Sequence, residues 1–216
     1  MKPSNQLVNP MLTDFYQITM AYAYWKAGVH EEEAVFDLFF RKNPFRGEFA
    51  IYAGLEEKLR LFENFHFTDD HIAYLKEQMP QCEKGFFEWL KSVDCSRMKI
   101  YAFKEGTISF PREPLMRVQG PIAVAQLLET ATLTLTNYPS LMTTNAAKYR
   151  LAVGFEKGLI EFGLRRAQGP DGGVSASRYS YIGGFDGTSN VLAGYLFGIP
   201  IRGTHAHSYV QSFIGV

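Results

Sequence analysis

Three glycine-rich runs in the last quarter of the sequence constrain the fold of this chain more than any other feature. They are E-F-G-L-R-R-A-Q-G-P-D-G-G from residue 161, G-G-F-D-G-T-S-N from residue 183 and G-I-P-I-R-G-T-H-A-H-S from residue 198. In each, a short apolar segment leads into Gly and polar residues, and the residues between them have helical patterns. In such a βα repeat, functional groups collect where strands end and helices begin, so that free backbone N–H groups face an anion. The runs predict one place that holds two arginines, several hydroxyls and a histidine.

The composition limits the classes of partner. The chain has 22 basic and 22 acidic residues, so its net charge is zero and no whole-chain field attracts nucleic acid or an acidic membrane. The first ten residues lack the apolar region of a secretion signal, and no apolar run approaches the roughly 18 residues of a membrane span. Cys82 and Cys95 are too few for a disulfide framework or a zinc site, which indicates a reducing compartment. We expect a cytosolic α/β protein without nucleic-acid or membrane partners.

The part of the chain before these runs predicts a small α+β domain. A helix is expected over residues 14–27, with Asp14 as its cap, Gln17 reaching back to close a capping box and Gly28 as its stop. Its aromatic face favours burial in a core or a dimer interface. The remaining elements are expected as strands over 34–42, 98–103, 107–110 and 115–119 and helices over 54–65, 68–78 and 86–93.

The expected domain boundary is Gly120–Pro121. Pro121 suits the first turn of a helix that runs to about Thr136, and Ser140 can cap a second helix over residues 141–160. The fold class is therefore α/β, with an N-terminal α+β domain (1–120) followed by the first βα units of a (β/α) barrel (121–216). This barrel is incomplete, because a complete one needs roughly 250 residues.

The three runs, together with L-T-D-F-Y-Q-I-T-M near the start, closely resemble nicotinate phosphoribosyltransferase of the animal and bacterial type. The resemblance covers the chain from about Leu12 to its last residues, in the same order. It implies a dimer-forming N-terminal domain of the quinolinate-phosphoribosyltransferase kind and an irregular barrel. Family members are considerably longer, so the chain corresponds to their N-terminal portion.

The resemblance implies roles for five residues of the first two motifs. Tyr16 matches a tyrosine that reaches the pyridine ring of the substrate, in related enzymes across a dimer interface, and Asp14 would hold the neighbouring loop and helix. Phe162 lies near a phenylalanine that stacks on the ring. Arg165, with Arg166 beside it, matches the substrate-site arginine. By chemistry alone these two arginines have a second interpretation, ion pairing with nearby carboxylates instead of binding phosphate bidentately.

The later motifs add hydroxyls and a histidine. Thr188 and Ser208 are further candidate substrate contacts, and Thr204 matches a residue that hydrogen-bonds nicotinate. Ser189 stands where the nicotinamide-using relatives have a carboxylate, which would repel nicotinate, so a serine favours the acid. His207 matches a histidine that ATP phosphorylates; by itself, a histidine here is a loop residue or a general base.

The resemblance therefore implies a nicotinate phosphoribosyltransferase. Such an enzyme makes nicotinate mononucleotide and pyrophosphate from nicotinate and phosphoribosyl pyrophosphate, with Mg²⁺ and ATP hydrolysis, as a cytosolic homodimer. A chain that matches only the N-terminal portion is expected to have little activity alone. Two alternatives stay open, a non-catalytic partner that pairs with a full-length subunit and a phosphosugar-binding protein without transfer chemistry.

Overall fold

The computed structural model describes residues 5–213, and these fall into two units that divide after Leu141. This division lies later than the boundary expected at Gly120–Pro121. The reason is the short helix that follows Pro121, because it buries Ala123, Val124 and Leu127 in the core of the first unit.

Both units contain helices and strands, which are grouped in the first unit and alternate from β6 to α8 in the second. The helices are α1 (Phe15–Lys26), α2 (Leu55–Glu63), α3 (Asp69–Gln78), α4 (Lys84–Ser92), α5 (Ile122–Leu127), α6 (Glu129–Val153), α7 (Gly169–Ile182), α8 (Val191–Phe197) and α9 (His207–Gln211). The strands are β1 (Glu33–Leu38), β2 (Ala50–Ile51), β3 (Lys99–Ala102), β4 (Ile108–Ser109), β5 (Met116–Pro121), β6 (Ile160–Glu161) and β7 (Gly187–Thr188). Most elements lie within or close to a range predicted from the pattern, although several strands are shorter; β2 and α9 lie outside the predicted ranges.

The first unit is built on an antiparallel sheet with the strand order β1-β5-β3, and β2 and β4 form a separate antiparallel pair. Residues at alternate positions of the central strand, Met116 and Val118, are buried, whereas Arg117 between them is exposed and pairs with Asp37 on β1. This period of two is typical of a sheet with one covered face. The covered face belongs to a core that includes residues of α1, α3, α4 and α5.

Helix α1 forms as predicted but begins differently. The side chain of Asp14 makes no capping bond to the helix, and the side chain of Gln17 does not reach back to close a capping box. Gln17 is fully buried, and its amide instead donates to a carboxylate oxygen of Glu129 at 2.8 Å. The predicted capping box is therefore wrong, because a buried amide gains more from a carboxylate acceptor than from the helix end.

The helix break expected between Thr136 and Ser140 is also wrong, because α6 continues through Pro139. Proline has no N–H, so the carbonyl of Leu135, four residues earlier, loses its helical donor. That carbonyl lies against Gly54, where an added Cβ would come within 1.8 Å of the oxygen. The Ser140 hydroxyl does not cap a new helix but accepts the N–H of Ala53 at 3.1 Å.

In the second unit, β6 and β7 pair in parallel, and Ile201 forms a further parallel bridge with Thr188. Helix α7 connects β6 to β7, and α8 connects β7 to the segment at Ile201. These are the βα units that the glycine-rich runs predict. Over residues 5–213, no helix is both long and apolar enough to cross a membrane.

Candidate functional site

The backbone of the second unit brings the carboxyl ends of three parallel segments to one edge. The N–H of Ser189 donates to the carbonyl of Glu161 at 2.9 Å, and the N–H of Arg202 donates to the carbonyl of Thr188 at 3.0 Å. Because parallel strands run in the same direction, the residues that follow each strand collect at the same edge. Each of the three glycine-rich runs contributes one of these ends.

Glu161 is a buried carboxylate at this edge that binds several neighbouring groups. It is 9% exposed, and its carboxylate accepts hydrogen bonds from three neighbouring segments. Oε1 accepts the N–H of Gly163, and Oε2 lies 2.8 Å from the Ser177 hydroxyl and 2.9 Å from the Thr188 hydroxyl. A buried carboxylate needs such donors in place of water. Sequence patterns gave no sign of this role, because Ser177 lies inside a helix, 16 residues away.

Arg165 and Arg166 lie on a 3₁₀ turn, Leu164–Arg166, that follows β6. Both are exposed, and neither forms an ion pair with any residue between 5 and 213. Neither arginine forms an ion pair with Glu161, because that carboxylate already accepts the hydrogen bonds described above. The two guanidinium groups therefore carry positive charge that the described part of the chain does not neutralise.

The side chains next to these arginines differ in exposure. Phe162 is 48% exposed, and Ser189 is partly buried. Thr188 is fully buried, and its hydroxyl bonds to Glu161, to Ser177 and to the N–H of Asn190. The Asn190 side chain then caps α8 by accepting the N–H of Ala193 at 3.2 Å.

The third run is exposed from residue 200 to residue 208. Thr204 and His205 follow the bridge at Ile201, and His207 is the first residue of α9, with Ser208 next to it. The ring of His205 lies 5.7 Å from that of Tyr209, centroid to centroid. The His207 and Arg165 side chains are both exposed, so neither is lost to apolar packing, and both lie in the segments that follow the strand ends.

Arg150 binds the loops at the opposite ends of the same strands. Arg150 is 7% exposed and pairs with Asp186. Its guanidinium also donates to three backbone carbonyls at 2.8 Å, those of Gly154, Lys157 and Gly184. The N–H of Leu159 and the Arg150 guanidinium both donate to Asp186 and lower the pKa of its carboxyl. Arg150 is therefore a structural residue that fixes the loops leading into β6 and β7.

Tyr16 and Asp14 belong to the first unit. Tyr16 is 48% exposed near the start of α1, where it is free to meet a ligand or another subunit. The Asp14 carboxylate accepts the Thr130 hydroxyl at 3.2 Å, and Gln17 one turn later binds Glu129 and Thr130. These bonds connect the beginning of α1 to α6.

Metal ligands are scarce in the described residues. Between residues 5 and 213, no three His, Cys, Asp or Glu side chains lie close enough together to hold a metal ion. At the strand ends, the Glu161 carboxylate is already surrounded by its donors. The described side chains therefore do not fit a Mg²⁺ site of their own.

Comparisons with known proteins give one consistent result. A family model described as the nicotinate phosphoribosyltransferase (NAPRTase) N-terminal domain matches residues 11–137. The chain is 59% identical to the nicotinate phosphoribosyltransferase of Dictyostelium discoideum over 214 residues, which is 99% of this chain and 36% of the relative. It is 56% identical to nicotinate phosphoribosyltransferase 1 of Arabidopsis thaliana over 214 residues, or 99% of this chain and 38% of the relative.

A crystal structure of human nicotinic acid phosphoribosyltransferase superimposes with a TM-score of 0.86 and 52% sequence identity. The match covers 93% of this chain and 40% of the human chain. The chain therefore spans less than half the length of the relatives that it matches.

Proposed function

Because the chain belongs to the nicotinate phosphoribosyltransferase family, we propose that it binds nicotinate and phosphoribosyl pyrophosphate and contributes to the formation of nicotinate mononucleotide and pyrophosphate. The observation that carries this proposal is the edge where three parallel segments end, with two exposed arginines that no described side chain neutralises. A guanidinium group donates two parallel hydrogen bonds to a phosphate, and a leaving pyrophosphate needs such compensation of its charge.

In the proposed reaction, the bond between C1 of the ribose and the pyrophosphate oxygen breaks as the nicotinate nitrogen forms its bond to C1 from the opposite face. The nitrogen lone pair supplies the new bond, and pyrophosphate leaves with the electron pair of the broken one. The pyridine nitrogen carries no proton that must be removed, so the protein mainly positions groups and stabilises charge. Arg165 and Arg166 would bind the pyrophosphate, while Phe162, Tyr16 and Thr204 would hold the nicotinate ring.

Ser189 supports the choice of nicotinate over its amide. Its N–H is bonded to the end of β6, which places the residue directly beside the segment that carries Phe162. A serine hydroxyl can donate to the carboxylate of nicotinate, whereas an acidic side chain at this position would repel it.

His207 is proposed as the phosphorylated residue. Its imidazole is exposed at the start of α9 and lies three residues beyond Thr204. An imidazole nitrogen attacks the γ-phosphorus of ATP, the bond to the bridging oxygen breaks and ADP leaves; water later hydrolyses the N–P bond. Ser208 would lie beside the phosphoryl group.

Other parts of the proposal rest on the family alone. They are the use of Mg²⁺, which would arrive with the phosphates of the ligand, a location in the cytosol and assembly as a homodimer. The exposed side chains of Phe15 and Tyr16 on α1 suit such an assembly, because both would otherwise present aromatic surface to water.

The test is incubation of the purified 216-residue polypeptide with γ-labelled ATP. We expect an acid-labile label on wild type and on His205→Ala, which serves as the control for loss of a neighbouring imidazole, and no label on His207→Ala. A label that survives in His207→Ala would overturn the assignment of this residue. Steady nicotinate turnover should be small, because more than half of the length of each matched relative lies outside this chain.

One alternative is supported by an observation of its own. The exposed aromatic start of α1 suits a non-catalytic partner that pairs with a full-length subunit. Mixing the 216-residue polypeptide with a full-length subunit distinguishes this possibility. A non-catalytic partner would change the activity of the full-length enzyme but would take up no phosphoryl label from ATP on its own His207.

A further inference from the structure

A single buried carboxylate connects the two strand ends on which the proposed site depends. We propose that Glu161 is a positioning residue: it fixes the spacing between the loop that carries Phe162 and Arg165 and the turn that carries Ser189. This inference rests on the proposed function and adds to it a residue that acts on the ligand only through others.

The first link runs from Glu161 to the arginine loop. Its Oε1 accepts the N–H of Gly163, which lies between Phe162 and the 3₁₀ turn that carries Arg165. Because Glu161 is only 9% exposed, little water competes for this bond. The position of the carboxylate therefore determines where the loop leaves β6.

The second link runs from Glu161 to the serine turn. Oε2 lies 2.9 Å from the hydroxyl of Thr188, and that hydroxyl accepts the N–H of Asn190 at 3.0 Å. Ser189 lies between these two residues, and its own N–H donates to the main-chain carbonyl of Glu161 at 2.9 Å. Thr188 is fully buried, so its hydroxyl connects the Glu161 carboxylate to the serine turn and does not contact a ligand.

The third partner provides a matched control. Ser177 on α7 also binds Oε2, at 2.8 Å, and its hydroxyl has a second acceptor in the carbonyl of Gly173 at 3.0 Å. Removing this hydroxyl with Ser177→Ala takes one donor from Glu161 but leaves both links to the strand ends. Glu161→Gln, in contrast, keeps the shape of the side chain but replaces one acceptor oxygen by an NH₂ group. Both oxygens of Glu161 face donors, so the NH₂ group meets a donor whichever oxygen it replaces.

The first measurement is the binding of nicotinate and nicotinamide to the 216-residue polypeptide by calorimetry. Wild type should prefer nicotinate. Glu161→Gln and Thr188→Val should lower that preference by about tenfold or more, whereas Thr188→Ser, which restores the hydroxyl, and Ser177→Ala should change it by less than about threefold. An equal loss of both ligands in all four variants would mean a folding defect and would overturn the proposal.

The second measurement needs no ligand. Amide hydrogen exchange of Gly163 and Ser189 should accelerate together, by about tenfold or more, in Glu161→Gln and stay near wild type in Ser177→Ala. If wild type binds neither nicotinate nor nicotinamide, the proposed function fails for this polypeptide. The positioning role of Glu161 is then tested by hydrogen exchange alone. Acceleration confined to Gly163 would overturn that role, because the carboxylate would then not link the two strand ends.

Discussion

Lys58 is a fully buried lysine whose charge should make the stability of the first unit depend on pH. Its Nζ donates to the Thr136 hydroxyl at 2.6 Å and to the Tyr52 hydroxyl at 3.0 Å, and neither partner is charged. Burial lowers the pKa of this amine from 10.5 to about 7, although the nearby carboxylate of Glu105 partly opposes the shift. The folded protein therefore keeps Lys58 neutral at pH values where the unfolded chain keeps it protonated.

The sign and size of the effect follow from counting protons. At pH 7 the folded protein still holds about half a proton at this residue, and above about pH 8 the unfolded chain holds nearly one proton more than the folded protein. The free energy of unfolding therefore rises with a slope that approaches about 1.4 kcal/mol per pH unit, and the gain from this residue between pH 7 and 9 is about 2 kcal/mol. Above pH 9 this rise is opposed, because burial raises the pKa of the Cys95 thiol to about 12, so that this thiol ionises in the unfolded chain while it stays protonated in the folded protein.

The assay is urea denaturation at pH 7, 8 and 9, followed by tryptophan fluorescence. Trp25 and Trp89, the two tryptophans of the chain, both belong to the first unit and therefore report on it. Lys58→Met, which removes the titrating group but keeps most of the volume, should abolish the rise. Lys26→Met is the control at an exposed lysine and should keep it. A wild-type curve that is flat from pH 7 to 9, or a rise that persists in Lys58→Met, would refute the reasoning.

Three further substitutions test other features. Gly54→Ala should lower the free energy of unfolding by about 3 kcal/mol in thermal unfolding, because the residue has φ +92° and the new Cβ would meet a carbonyl of α6 at 1.8 Å. Its control is Gly28→Ala, at φ +75° with open space around it, which should lower the free energy of unfolding by only about 1 kcal/mol. Arg150→Met should destabilise the second unit by about 2–3 kcal/mol and speed proteolysis there, since it leaves three backbone carbonyls without their donor. Arg166→Met, at an exposed position, should do neither. Arg165→Lys should weaken binding of pyrophosphate by about tenfold in calorimetry, because an ammonium group cannot donate the two parallel bonds; unchanged binding would remove Arg165 from the proposed site.

Features that depend on local chemistry were predictable from the sequence. Thr68 begins α3 as expected, and its hydroxyl accepts the N–H of His71, three residues later. Asn190 caps α8, and the three glycine-rich runs give the three parallel strand ends. The resemblance to the nicotinate phosphoribosyltransferase family, drawn from the motifs, is confirmed by the comparisons. The roles of individual site residues and the barrel stay predictions.

Features that depend on distant partners were not predictable. In the sequence, nothing distinguishes Glu161 from the other charged residues, because its partners Ser177 and Thr188 lie beside it only in the folded chain. Gln17 matched a local capping pattern, but a carboxylate 112 residues later competed successfully for its amide. Such pairings leave no spacing in the sequence, because they arise only when separate elements pack together.

The meeting of Pro139 with Gly54 has a consequence for how this sequence can change over time. A side chain at position 54 would strike the Leu135 oxygen, and only the absent N–H of Pro139 leaves that oxygen without a helical donor. Replacing the proline would give this oxygen a donor but would neither move it nor change the φ of +92° at Gly54, so we expect glycine to persist at position 54 whether or not a lineage keeps the proline.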